Sequence, residues 1–149
     1  MRGGRRRPPL DWKNMTNPLR LGLDVRQVSG RPVLYVTGEI DIYTAPLFKQ
    51  AVVNLVSEGT QNIVIDLTGV TFMDSSGFGT LLGATRRLRP GGGGLHLAGP
   101  NSTIQRMLRL TRLDSIMQIH ESAEAAVQAV GEVQGGAGAT GAPNSLQAA

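Results

Sequence analysis

The chain has 149 residues, 40% of them hydrophobic, 17% charged and only 4% aromatic, which is the length of one domain with an aliphatic core. Cysteine is absent, excluding a disulfide scaffold, a thiol nucleophile and a thiolate metal site. The net charge of +4 lies entirely in residues 1–14, where Arg2, Arg5, Arg6, Arg7 and Lys13 face a lone Asp11; the remaining 135 residues balance ten basic against ten acidic side chains, so the basicity marks an arm and not a nucleic-acid-binding face.

The opening segment MRGGRRRPPLDWKN lacks the apolar run of roughly 7–15 residues that an export signal requires. Residues 1–18 are predicted to be a disordered basic arm, within which Met15 is an alternative start. No stretch is apolar enough to cross a bilayer, and a cytoplasmic location with no membrane partner is expected. At the other end, residues 133–149 are rich in Gly and Ala and carry no charge. Such a segment has little to bury against the entropy of ordering and is predicted to be a disordered tail. The folded domain is predicted over residues 19–132.

Within it, LGLDVRQV alternates apolar and polar positions, which points to a half-buried strand with Leu21, Leu23, Val25 and Val28 inward. Ser29-Gly30 is a turn, and VLYVTG returns as the second strand of an antiparallel hairpin. GEIDIYTAP reads as a polar loop in which Thr44 is the N-cap of a first helix and Pro46 sits in its opening turn. That helix places Leu47, Ala51, Val52, Leu55 and Val56 on one stripe and stops at Gly59. The β-branched run NIVIDL suits a central strand, parallel to the one before the helix. A second helix, SGFGTLLGATRRLRP, ends at Pro90, and Gly91 to Gly94 form a turn before the strand LHLAG. Asn101 and Ser102 cap a third helix with Ile104, Met107 and Leu108 inward. SIMQIH is a last strand, and Ser122 and Glu124 open a fourth helix. The fold class is α/β: a sandwich built on a mixed sheet, with an N-terminal antiparallel hairpin and about four helices.

The chemistry concentrates where NIVIDL delivers the chain through TGVTFM to Asp74-Ser75-Ser76-Gly77-Phe78-Gly79. A helix starting there leaves backbone N–H groups unpaired and a partial positive charge, so it accepts an anion without a basic side chain. Ser75 and Ser76 can cap the helix, take a phosphate, or both, and Gly77 and Gly79 keep the turn free of bulk. In the plainest reading Asp74, Ser75 and Ser76 are capping residues only. A dinucleotide-binding loop fails because position 82 is Leu82 and no acidic residue follows at the ribose-contact spacing. A hydrolase elbow fails because neither serine has a G-x-S-x-G frame. His96 and His120 are not at metal-ligand spacing, and neither a metal nor a cofactor is predicted. Arg86, Arg87 and Arg89 read as a solvated helix face; Arg106, Arg109 and Arg112 read first as solvated surface, with an acidic partner as the alternative; Met73 and Met107 read as core filler.

TGEIDIYTAP at Thr37–Pro46, VIDL, FMDSSGFGTLLG at Phe72–Gly83 and the late helix IQRMLRLTRL occur together in one order. In these pieces the chain resembles the bacterial anti-sigma factor antagonists (anti-anti-sigma factors), the single-domain members of the STAS family, over Leu21 to Val130. The resemblance implies a binding switch without catalytic activity. The unphosphorylated protein would bind an anti-sigma factor that is also a serine kinase, releasing a sigma factor. Phosphorylation of Ser75, or of Ser76 as second choice, would end that binding, and a serine phosphatase would restore it. Glu39, Asp41, Tyr43, Thr44, Asp74, Ser75, Ser76, Gly77 and Phe78 are the expected partner contacts; Phe78 stands where the family usually has Leu, which would alter the partner surface if the ring is exposed. The sequence leaves open a weak homodimer and implies no direct nucleic-acid contact. The alternatives are a STAS module of a stress-signalling scaffold or lipid-transport complex and, in a different class, a nucleotide-binding or hydrolytic domain.

Overall fold

A computed structural model describes residues 20–135. The predicted arm, residues 1–18, and most of the predicted tail lie outside them; the last helix runs to Gly135 and takes in residues 133–135.

Strand β1 (Leu21–Val28) and strand β2 (Arg31–Ile40) form an antiparallel hairpin, followed by helix α1 (Ala45–Ser57) and strand β3 (Asn62–Met73). Helix α2 (Ser75–Leu88), strand β4 (Gly94–Ala98), helix α3 (Ser102–Leu110), strand β5 (Gln118–His120) and helix α4 (Ala123–Gly135) complete the order, with single 3₁₀ turns at Arg89–Gly91 and Leu113–Ser115. The sheet order is β1-β2-β3-β4-β5, parallel from β2 onward. The hairpin turns on Ser29 and Gly30, both at positive φ (51° and 80°), the type I′ geometry whose twist matches that of the flanking strands.

Each strand from β2 to β5 presents alternate residues to two helical layers. Leu34, Val36, Ile63, Ile65, Leu95 and Leu97 face the larger core with α1, α2 and α3, while Val33, Val64 and Ala98 face a smaller one closed by Ala123, Ala126, Val127 and Val130 of α4. Helix α1 buries Phe48 completely, a ring outside the predicted stripe. It ends in a Schellman motif: Gly59 N–H donates to Val56 C=O and Thr60 N–H to Leu55 C=O, with Gly59 at φ 89°.

Four expectations are corrected. Strand β3 continues for six residues past NIVIDL. From Leu67, the last residue of NIVIDL, its buried apolar positions are Leu67, Val70 and Met73, spaced by three. Register shifts against β2, between Tyr35 and Thr37 and again between Gly38 and Glu39, insert an extra residue each time. These β-bulges return the next apolar side chain to the core. Strand β5 is limited to Gln118–His120, because Leu113–Ser115 form a 3₁₀ turn. Gly91 to Gly94 are not a free turn throughout: a Cβ at Gly93 would collide with the Gln61 carbonyl. Met107 is 39% exposed, since α3 buries only Ile104 and Leu108 and Met107 lies about 100° around the helix from Leu108.

Candidate functional site

The C-terminal ends of β2 and β3 lie side by side, with Glu39 paired to Phe72 and Ile40 to Met73. Asp74 N–H donates to the Ile40 carbonyl at 3.0 Å. This tie brings the two segments singled out in the sequence, GEIDIYTAP and MDSSG, to one edge of the molecule.

Helix α2 starts under tight local control. Asp74 is its N-cap, in extended conformation, and its Oδ1 accepts the Ser76 N–H at 2.8 Å; the Asp74 carbonyl accepts from Gly77 at 3.0 Å and Phe78 at 3.3 Å. Ser75 occupies the first helical position and is exposed. Among the described residues its hydroxyl has no hydrogen-bond partner, so the oxygen is presented to solvent at the positive end of a 14-residue helix. Ser76 is half-buried, turned toward α1.

The preceding loop is built on Asp41 and Thr44. Asp41 Oδ1 accepts the N–H groups of Tyr43 (2.9 Å) and Thr44 (3.0 Å). These bonds, that of Thr44 first, hold the Asp41 carboxyl below the usual carboxylate range, against a smaller opposing effect of burial. Thr44 Oγ1 donates to the Glu39 carbonyl at 2.8 Å and accepts from the Asp41 N–H at 2.9 Å. Thr44 therefore sits at the N-cap position of α1, but its hydroxyl stitches the loop together and bonds none of the helix amides, a correction to the expected cap. Glu39 is half-exposed and paired with Arg20 at 3.2 Å.

Of the expected partner contacts, Glu39, Asp41, Tyr43, Asp74, Ser75 and Ser76 have surface at this edge. Thr44, Gly77 and Phe78 do not, and their assignment as contacts is corrected. Thr44 is 2% exposed and Phe78 8%; Phe78 lies on the inward stripe of α2 with Leu81, Thr85 and Leu88. A Cβ on Gly77 would overlap Met73 Cγ and approach Ile40 Cγ2 to 2.9 Å, so this glycine lets α2 pack on the strand ends. Ile42 (67% exposed) and Phe72 (50%) join Tyr43 (76%) as apolar side chains in the open. Neither Ile42 nor Phe72 was expected; the three-residue spacing of Leu67, Val70 and Met73 was the signal that leaves Phe72 outside.

Away from this edge, His96 and His120 are brought together across β4 and β5. His96 Nδ1 lies 3.2 Å from His120 Nε2, and His96 Nε2 lies 3.3 Å from Asn62 Oδ1. Burial lowers the His96 pKa to about 4, with the neighbouring His120 adding to it, and burial lowers that of His120 as well. Among the described residues no three His, Cys, Asp or Glu side chains gather as a metal site, and no helix is long and apolar enough to cross a membrane.

Residues 23–126 match the family model described as STAS domain. The chain is 33% identical to the anti-sigma-B factor antagonist of Staphylococcus epidermidis over 86 residues, 58% of this chain and 80% of that one. Among solved structures, an anti-sigma factor antagonist from Mycobacterium paratuberculosis superposes with a TM-score of 0.66 at 32% identity, covering 78% of this chain and 98% of the other. SpoIIAA of Bacillus in its phosphorylated form shares the fold (TM-score 0.58, 24% identity, 73% and 99% covered). With an antagonist-like sequence over most of its domain and the two loop segments joined at one end of the sheet, this chain belongs to the STAS domain family.

Proposed function

We propose that the protein is an anti-sigma factor antagonist whose exposed Ser75 is the regulated hydroxyl. The unmodified protein binds an anti-sigma factor through the edge formed by Ile42, Tyr43, Phe72 and the start of α2, and so frees a sigma factor. It works by binding in the cytoplasm and catalyses nothing itself. The anti-sigma factor doubles as the serine kinase that modifies Ser75, and a serine phosphatase resets it. The observation that carries this reading is the placement of a solvent-facing hydroxyl, without a hydrogen-bond partner among the described residues, at the first position of α2 in a chain similar to anti-sigma-B factor antagonists.

The electrostatics support a switch. A phosphoserine adds about 1.5–2 negative charges and three acceptor oxygens. At position 75 it would adjoin Asp74, with Asp41 and Glu39 on the neighbouring strand end. The helix N-terminus tolerates the group in the free protein, whereas an apolar partner surface would have to strip its water. A difference of about 3 kcal/mol between the two forms is already more than a hundredfold in affinity. Asp74 keeps the start of α2 in place through its bond to Ser76 N–H whichever form is present, so the domain need not unfold to switch.

The test is calorimetric titration of the cognate anti-sigma factor with wild type, Ser75→Ala and Ser75→Asp. Ser75→Ala is expected to bind within a few-fold of wild type, and Ser75→Asp at least tenfold more weakly. Incubation with the kinase and labelled ATP is expected to mark wild type and not Ser75→Ala. Equal affinity of the two variants, or label that survives in Ser75→Ala, refutes the assignment; surviving label lost in Ser76→Ala moves it to Ser76.

A further inference from the structure

We propose that the groove between α1 and α2 is a binding site for an amphiphilic organic anion, an apolar chain ending in a carboxylate. The groove encloses about 560 Å³, within the range of small-molecule sites. Its walls are largely apolar, from Ile42, Pro46, Val52 and Val53 on one side and Ala84 on the other, with Ser76 and Thr80 as neutral polar residues in the lining. It runs along α2 from Ser76 to Arg87, about 16 Å at 1.5 Å per residue. A groove of that length accommodates an extended chain laid along the two helices.

The charge on the rim selects the ligand's sign. Lys49 and Arg87 both line the groove, no carboxylate does, and both cations are exposed. Among the described residues neither is ion-paired; the pairs there are Arg20–Glu39 and Arg26–Asp24. Arg87 offers a planar fork suited to a carboxylate, and Lys49 a point charge.

The floor adds a separate argument. Gly79 and Gly83 lie one turn apart in α2 and both line the groove. A Cβ built on either meets nothing within 4 Å. No internal contact requires them, although each glycine in a helix interior costs about 1 kcal/mol relative to alanine. Their missing side chains are what keeps the groove open. Because Ser76 and Ile42 also border the edge that carries Ser75, an occupied groove changes what a partner meets there, which supplies a second input to that surface. The site itself does not depend on Ser75 being a switch.

The experiment titrates octanoate and, separately, 1-octanol into ¹⁵N-labelled full-length protein and follows the amide spectrum. Octanoate is expected to give saturable shifts at Ser76, Gly79 and Gly83, with 1-octanol at least tenfold weaker. Gly83→Leu, which fills the floor, is expected to abolish the octanoate shifts; Gly79→Ala serves in its place, with a severalfold loss, if the leucine variant does not fold. Lys49→Gln combined with Arg87→Gln is expected to remove the preference for octanoate. The proposal is overturned by no octanoate binding, by shifts scattered outside the groove, by equal binding of the alcohol, or by full binding to a folded Gly83→Leu. It is equally overturned if octanoate has no effect while Gly83→Leu weakens the anti-sigma factor titration, which would assign the groove to a protein partner.

Discussion

Chemically similar residues in this site do opposite work, and burial separates them. Ser75 and Thr44 are both hydroxyl residues at the first turn of a helix, yet Ser75 is open to solvent while Thr44 is sealed and bonded to the Glu39 carbonyl and the Asp41 amide. Thr44→Val keeps the shape and removes both bonds, leaving two backbone groups without partners, which costs about 1–3 kcal/mol. Chemical denaturation should show that loss, whereas Ser75→Ala should change stability by less than about 0.5 kcal/mol. A Thr44→Val variant as stable as wild type would mean that the loop is held by Asp41 alone. The carboxylate of Asp41, lowered by amides it accepts, stays ionised through the physiological range, so the edge keeps its negative character when Ser75 is unmodified.

Helix α2 shows how one element serves the core, the switch and a groove at once. Its inward stripe of Gly77, Phe78, Leu81, Ala84, Thr85 and Leu88 leaves Ser75 outward and Gly79 and Gly83 beside α1. The same substitution therefore has opposite signs along one helix. Gly77→Ala forces a methyl into Met73 and Ile40 and is expected to destabilise by about 1–3 kcal/mol as overpacking. Gly83→Ala meets open space and is expected to stabilise by about 0.5–1 kcal/mol through helix propensity. Thermal unfolding of the two variants checks the pair; a stabilising Gly77→Ala would show that the strand ends are looser than their packing implies. Strand β3 makes a related point. Its bulges convert a spacing of three into a continuous inward row and thereby carry the chain to Asp74 in the orientation that turns Phe72 out.

Across the whole molecule, the two helical layers must close over a sheet whose buried His96 is satisfied by His120 on one ring nitrogen and Asn62 on the other. With Asn62 accepting from His96 Nε2–H, His96 Nδ1 accepts from His120 Nε2–H, and both rings are neutral. The folded pKa of His96 is depressed from 6.5 to about 4, so between those values the unfolded chain binds more protons than the folded one. Stability is then complete above about pH 6.5 and falls as pH drops toward 4, by up to about 3 kcal/mol from His96. Urea unfolding at pH 7, 6 and 5 should show this decline, and His96→Gln should flatten it. An unchanged slope in the variant would place the acid sensitivity elsewhere. By itself the sequence determined the α/β class, the hairpin, the four helices and the Asp74–Gly79 turn, because local periodicity, caps and turn residues such as Asn101, Ser29 and Gly59 act over a few neighbours. Only the tertiary structure decided that Phe78 and Thr44 lie inside, that Ile42 and Phe72 lie outside, and that His96 meets His120. Those outcomes depend on strand register and on which helix covers which face, and such long-range packing leaves no mark within a short window of chain.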